Sequence, residues 1–189
     1  MDLKKAVTTR RSVKYFASKK VDWRKIIQAI DYARFAPAAD NRFAHKFIIV
    51  ESRDIIEKIA AAAQQQFISE ASHVVVVVTD PSYLVKTYGE RGERFAAQQA
   101  GASIENFLLA LNERGLAAGW VGFFSDDLVK EALGVPDNQT IEAIFPIGKE
   151  SKSRKSKNNP EVELDGLVYF DKWKNSQMGK DPYVKVEHA

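Results

Sequence analysis

The chain contains no cysteine, which excludes thiol nucleophiles, disulfide staples, cysteine-ligated zinc and iron–sulfur clusters in one step. Its three histidines, His45, His73 and His188, lie far apart without metal-ligand spacing, so no metal site is expected. No apolar run approaches the ~20 residues that cross a bilayer. The charged start, residues 1–6, lacks the apolar stretch of an export signal. The expectation is a cytoplasmic chain with no membrane partner. Glycine is sparse, 10 of 189 residues, and never falls into the GxGxxG fingerprint of a Rossmann dinucleotide site or the GxSxG elbow of a hydrolase. Gly148-Lys149 is not a P-loop, because Ala143 stands where the first glycine belongs and Glu150 where a serine or threonine belongs. With no triad and no marked carboxylate pair, no catalytic side chain is assigned.

What is present is positive charge in two places. The net charge is only +3, yet residues 1–20 carry Lys4, Lys5, Arg10, Arg11, Lys14, Lys19 and Lys20 against Asp2 alone. Residues 149–157 carry Lys149, Lys152, Arg154, Lys155 and Lys157 against Glu150, and the remainder is net negative. If the two segments meet they make a site for a compact anion; if they stay apart they are solvated faces or a weak nucleic-acid patch. Neither contains a nucleic-acid recognition motif, so no nucleic-acid partner is expected. Within the first, Arg10-Arg11-Ser12-Val13-Lys14 places three cations and a hydroxyl in five residues. Such a set satisfies a phosphate through charge-assisted hydrogen bonds. It is followed one helix later by the tight turn Ala36-Pro37-Ala38-Ala39-Asp40-Asn41, and together they point to a phosphorylated cofactor.

The periodicity predicts a helix from an Asp2 cap to Thr9, and a second from an Asp22 cap, with Ile26, Ile27, Ile30 and Ala33 as its apolar stripe and Pro37 beyond its end. Phe47 to Val50 reads as a strand and Arg53 to about Phe67 as a helix. The five valines Val74 to Val78 read as a strand covered on both faces. Glu93 to Arg114 is the longest helical pattern, closed by Gly115. Its small residues Ala96, Ala97, Ala100, Gly101 and Ala102 permit a close neighbour, either a core helix or a symmetry mate. Ala117 to Val121 reads as a strand, Ser125 or Asp126 caps a short helix ending at Gly134, and Ile141 to Ile147 reads as a strand. Residues 148–160 read as a basic loop and Leu167 to Trp173 as a last strand or extended arm. The fold class expected is α+β, or mixed α/β, with helices covering a central sheet. We expect one domain over 1–189 with a C-terminal extension from about 174.

Five segments in this order resemble the FMN-dependent nitroreductase family. Thr9-Arg10-Arg11-Ser12-Val13-Lys14-Tyr15-Phe16 is similar to its RRSxRxF motif, and Ala36 to Arg42 to its APSxxNxQPW turn. Glu70 to His73 is similar to the segment before a core strand. Gln99 to Ala110 resembles its long helix, and Gly115 to Gly122 its GLGxxWxG segment. The resemblance implies a nitroreductase-like sheet flanked by helices, with the long central helix at the interface of a homodimer and FMN bound between subunits. It implies that Arg10, Arg11 and Ser12 hold the phosphate and ribityl chain, and that Lys14 lies at the N1–C2=O edge of the isoalloxazine, tuning it. By the same resemblance Pro37, Ala38, Ala39 and Asn41 serve the partner's cofactor, and Gln64 lies at the pyrimidine edge. Trp120, Val121 and Gly122 run past the flavin with a backbone N–H toward N5, and Arg154, Lys155 and Lys157 supply the second phosphate contact, so that the two basic segments meet. The implied activity is ping-pong transfer from NADH or NADPH to a nitroaromatic, quinone or similar electrophilic acceptor. The alternatives are a flavin-binding redox protein or specialised reductive chemistry such as dehalogenation, enone reduction or flavin fragmentation. The chain departs from the pattern at Ala38, where a serine is usual, and at residues 42–45, which lack the Gln-Pro-Trp run.

Overall fold

Residues 2–157 and 162–176 are described by a computed structural model, and they fall into two compact units divided at Lys157. In the first unit helices α1 (Leu3–Thr9), α2 (Trp23–Ala33), α3 (Arg53–Ala63), α4 (Ser82–Tyr88), α5 (Arg91–Glu113) and α6 (Asp126–Leu133) surround strands β1 (Phe16–Ala17), β2 (His45–Val50), β3 (His73–Thr79), β4 (Ala117–Ala118) and β5 (Thr140–Glu150). The sheet runs β1-β5-β3-β2 with β4 also on β5, and every strand pairing is antiparallel.

The valine run explains the layers. Side chains alternate across a strand, so Val75 and Val77 join Ile26, Ala29, Phe107, Leu111 and Phe145 under α2 and α5, while Val74, Val76 and Val78 join Ile56, Ile59, Val129 and Ile144 under α3 and α6. All five are essentially buried, each stabilising the fold by about 1.5–3 kcal/mol relative to exposure. The mixed α+β class is as expected, and so are the local signals. Asp2 Oδ1 accepts from the Lys5 N–H at 2.8 Å and Asp22 Oδ1 from the Arg24 N–H at 3.0 Å. Gly134 ends α6 in the left-handed region. On α5, Ser103 Oγ donates to the Ala33 carbonyl at 3.0 Å. Gly92 lies so close to α4 that an added Cβ would meet Leu84 C at 2.3 Å. Ala96 and Ala100 are buried within the subunit and Ala97 is exposed.

Several elements differ from the sequence expectation. α3 stops at Ala63, because Gln64 turns left-handed at φ 52° and returns the chain into a short 3-10 turn, Gln66–Glu70. α4 was not anticipated; Pro81 precedes it and Asp80 Oδ1 accepts from the Ser82 N–H at 3.0 Å. The strand expected through Val121 is only Ala117–Ala118, interrupted at Gly119 and resumed as a bridge from Val121 to Ile144. β5 runs three residues into the expected loop, because β1 and β4 give Ile147 to Glu150 partners.

In the second unit no strand forms among the described residues. A 3-10 turn at Leu164–Gly166 is followed by a stretch with Asp171 and Lys174 at positive φ, which an extended arm over 167–173 does not permit. Tyr169 and Trp173 meet edge to face at 5.0 Å. Of the extension expected from about 174, residues 177–189 lie outside the described residues.

Candidate functional site

The basic motif leaves α1 at its C-terminal end and crosses the β4 edge. Val13 N–H donates to the Ala118 carbonyl at 2.9 Å, and Ser12 Oγ accepts from the Trp120 N–H at 3.0 Å. The crossing is tight, because a Cβ on Gly119 would stand 2.7 Å from the Val13 carbonyl oxygen. Between the motif and α5 opens a cleft of about 320 Å³, walled by Thr9 to Val13, Leu108, Asn112, Gly115 to Ala118, Trp120 and Glu150.

Two carboxylates orient the arginines of this cleft. Arg10 Nε lies 3.3 Å from Glu105 Oε1 of α5, and Arg11 donates to Glu150 Oε2 of β5 at 2.5 Å. Asn112 Nδ2 donates to the Ala6 carbonyl and to Thr9 Oγ1, each at 2.9 Å, tying the end of α1 to α5. The second basic segment comes to the same place. Lys14 N–H donates to Ser156 Oγ at 2.9 Å, Ser156 N–H to Glu150 Oε1 at 3.2 Å, and Ser151 N–H to the Tyr15 carbonyl at 2.9 Å. The Arg154 guanidinium stacks 4.1 Å from the Tyr15 ring. Of the two arrangements left open by charge counting, the structure has the convergent one.

The expected site residues divide into groups. Arg10, Arg11, Ser12 and Trp120 line the cleft; Lys14 extends its Nζ over the Phe67 ring at 5.7 Å; Arg154 reaches the motif through Tyr15, while Lys155 and Lys157 are exposed on either side of Ser156. Val121 is in the core, and both its main-chain groups bond to Ile144 at 2.9 Å. Its N–H is therefore committed to the sheet, and Gly122 is the exposed neighbour. Gln64 is exposed at the α3 terminus and walls neither cleft described here.

Pro37, Ala38 and Ala39 wall a second cleft, about 340 Å³, with Phe95, Gln98, Gln99 and Ala102 of α5. Asn41 lies exposed at the end of that turn. Asp40 and Asn41 both adopt left-handed backbone, φ 55° and 53°, a conformation that costs a non-glycine residue energy and is common at ligand clamps. Tyr83 holds the turn: its Oη donates to Asp40 Oδ2 at 2.6 Å, and the Arg42 guanidinium lies 4.1 Å from its ring. Glu105, Glu150, Tyr15 and Gln99 were not singled out from sequence. The two carboxylates carry no motif, and only the partners they meet in the fold reveal them.

The residues fit a phosphorylated flavin by the chemistry of the donor set: two arginine forks and a serine hydroxyl line a cleft that Trp120 also walls. A protein of Archaeoglobus fulgidus, provisionally named NADH dehydrogenase/NAD(P)H nitroreductase, is 28% identical over 149 residues, covering 76% of this chain and 83% of its own. The crystal structure of a nitroreductase family protein from Clostridium novyi NT superposes with a TM-score of 0.74 at 27% identity, over 93% of this chain and 96% of that one. An FMN-dependent nitroreductase of Clostridium difficile R20291 superposes with a TM-score of 0.76 at 18% identity, over 90% of this chain and 100% of that one. The model of the nitroreductase family matches residues 7–71 and 60–149, nearly the whole first unit, and the chain belongs to that family.

Proposed function

We propose that the chain is an FMN-dependent oxidoreductase, working as a homodimer, that passes reducing equivalents from NADH or NADPH to nitroaromatic, quinone or similar electrophilic acceptors in two successive half-reactions. The observation that carries this reading is the meeting of the two basic segments, through Arg11–Glu150, Lys14–Ser156 and Arg154–Tyr15, next to the cleft that Arg10, Arg11 and Ser12 line. Bound FMN supplies hydride acceptance and donation, chemistry that no side chain here provides. Arg10, Arg11 and Ser12 hold its phosphate end, with Arg154, Lys155 and Lys157 as the second set of cations. Glu105 and Glu150 keep the guanidinium groups in place before the cofactor arrives, lowering the ordering cost of binding. Lys14 places a fixed positive charge where the reduced ring gathers negative charge. Because the Val121 N–H is used in the sheet, Gly122 is the residue of the pair whose main-chain N–H would serve the flavin. The turn Pro37 to Asn41 completes the partner's site, which accounts for its separation from the first cleft.

The test is the visible spectrum of the purified protein, before and after NADH or NADPH is added without oxygen. Flavin bands that bleach, and return on adding a quinone, are the expected result. No flavin uptake, even after incubation with FMN, overturns the reading.

A further inference from the structure

Asn41 stands between two residues that one aromatic side chain holds. Tyr83 Oη donates to Asp40 Oδ2 at 2.6 Å, and the Arg42 guanidinium lies 4.1 Å from the centre of the Tyr83 ring. Asp40 and Asn41 carry the chain through φ 55° and 53°, two successive residues in a region that side chains other than glycine enter at a cost. Both are exposed, so core packing does not enforce that shape. The Asn41 amide makes no hydrogen bond among the described residues. The base of the clamp is firm without Tyr83: Asp80 accepts from the Ser82 N–H at 3.0 Å and donates its own N–H to the Ala44 carbonyl at 2.7 Å, just past the turn. Leu84 is buried, and Gly92 of α5 abuts its main chain. Tyr83 itself is 38% exposed and is no core residue; what its hydroxyl and ring hold is the turn.

We propose that Tyr83 is a positioning residue for cofactor binding: by gripping Asp40 and Arg42 it keeps the turn Pro37 to Asn41 in one shape before FMN arrives, with the Asn41 amide left free for the ligand. This rests on the flavoenzyme reading, in which that turn completes the partner subunit's site. Tyr83 touches neither cofactor nor substrate and acts through Asp40 and Arg42. A turn held in advance lowers the ordering cost of binding. Without the hydroxyl, Asp40 relaxes toward negative φ in part of the population, and the apparent FMN affinity falls in proportion to the turns still competent.

The experiment titrates each apoprotein with FMN by flavin fluorescence and unfolds it in urea, for wild type, Tyr83→Phe, Asp40→Gly and the double variant. Tyr83→Phe keeps the ring under Arg42 and loses only the hydroxyl. It is expected to raise the FMN dissociation constant about five- to tenfold and to leave the urea midpoint unchanged, because the bond lies at the surface. Glycine adopts the left-handed region without a clamp. In the Asp40→Gly background the same tyrosine change therefore moves the constant by less than about twofold. Tyr83→Leu, which also releases Arg42, is expected to weaken FMN binding more than Tyr83→Phe does, again at an unchanged urea midpoint, and it decides the matter should Asp40→Gly not fold. Wild-type FMN affinity in Tyr83→Phe or Tyr83→Leu overturns the proposal. So does a loss of equal size with and without Asp40, or one matched by a fall in the urea midpoint. A wild type that takes up no FMN overturns the flavoenzyme reading first, a failure distinct from these.

Discussion

Arg10 and Arg11 are adjacent in sequence but anchored to different elements, one to Glu105 on α5 and the other to Glu150 on β5. That division makes the motif a fixed fork, and it sets what removing one prong does. Arg10→Ala is expected to weaken FMN binding by about 1.5–3 kcal/mol, the range for a charged hydrogen bond, or roughly ten- to a hundredfold in dissociation constant. Fluorescence titration of the apoprotein measures it, and an unchanged constant removes Arg10 from the phosphate site. His45 and His73 act on stability instead. Both are buried, with one ring nitrogen each unpartnered. Burial first, then the charge of Lys46, holds His45 below its ordinary value of 6.5. Burial likewise lowers His73, with Lys20 and Arg53 adding to it and Glu51 opposing. A base depressed in the folded state binds its proton more readily when unfolded, so stability is full above the unfolded value and falls as the pH drops below about 6.5. The urea midpoint is expected to fall between neutral pH and pH ~5.5. His45→Phe, set between Phe43 and Phe47 at ring distances of 5.5 and 5.8 Å, is expected to flatten part of that slope. A slope that His45→Phe leaves intact assigns the effect to other groups.

Among the elements, the segment from Ala117 to Gly122 does the most with the least regular structure: two strand residues, a close crossing at Gly119, and a bridge back to β5 at Val121. Gly119→Ala brings a Cβ to 2.7 Å from the Val13 carbonyl oxygen, backbone against backbone, and is expected to cost about 1–3 kcal/mol as the crossing opens. It should also weaken FMN binding, because Ser12 and Trp120 are joined across that crossing. A variant with the wild-type urea midpoint refutes the close approach. The same segment shows what a sequence can and cannot disclose. α1, α2, α6 and β3 were legible because their signals are local: a cap residue, an apolar stripe, a five-valine run. β1 and the last residues of β5 were not, since Phe16 and Ala17 form a strand only because Glu150 and Lys149, over 130 residues away, pair with them. The site divides likewise. Arg10 to Lys14 announced themselves by density of charge, whereas Glu105 and Glu150 are ordinary helix and strand residues until the fold brings their partners near.

At the scale of the whole molecule, the two clefts are a geometric argument for a second subunit. The cation-lined cleft and the cleft under the Pro37 turn share no lining residue, although the family resemblance assigns both to one cofactor. The proposed homodimer reconciles them: in it the turn of one subunit would close the phosphate-anchored cleft of the other, and two equivalent sites would form across one two-fold axis. This arrangement predicts complementation. Arg10→Ala disables the phosphate end of its own subunit's site. Ala39→Trp, filling the cleft under the turn, disables the site of the neighbour. Each homodimer then carries two damaged sites. Refolded together, the two variants form mixed dimers in which one site combines both lesions and the other has none. About a quarter of all sites in a one-to-one mixture are then intact, so activity per subunit should rise toward that fraction of wild type, while neither variant alone recovers. If each site were built within one subunit, every site in the mixture would keep its own lesion and mixing would restore nothing. The recovered fraction, read by acceptor-dependent NADH oxidation alongside the oligomeric mass, therefore decides between a shared site and a private one.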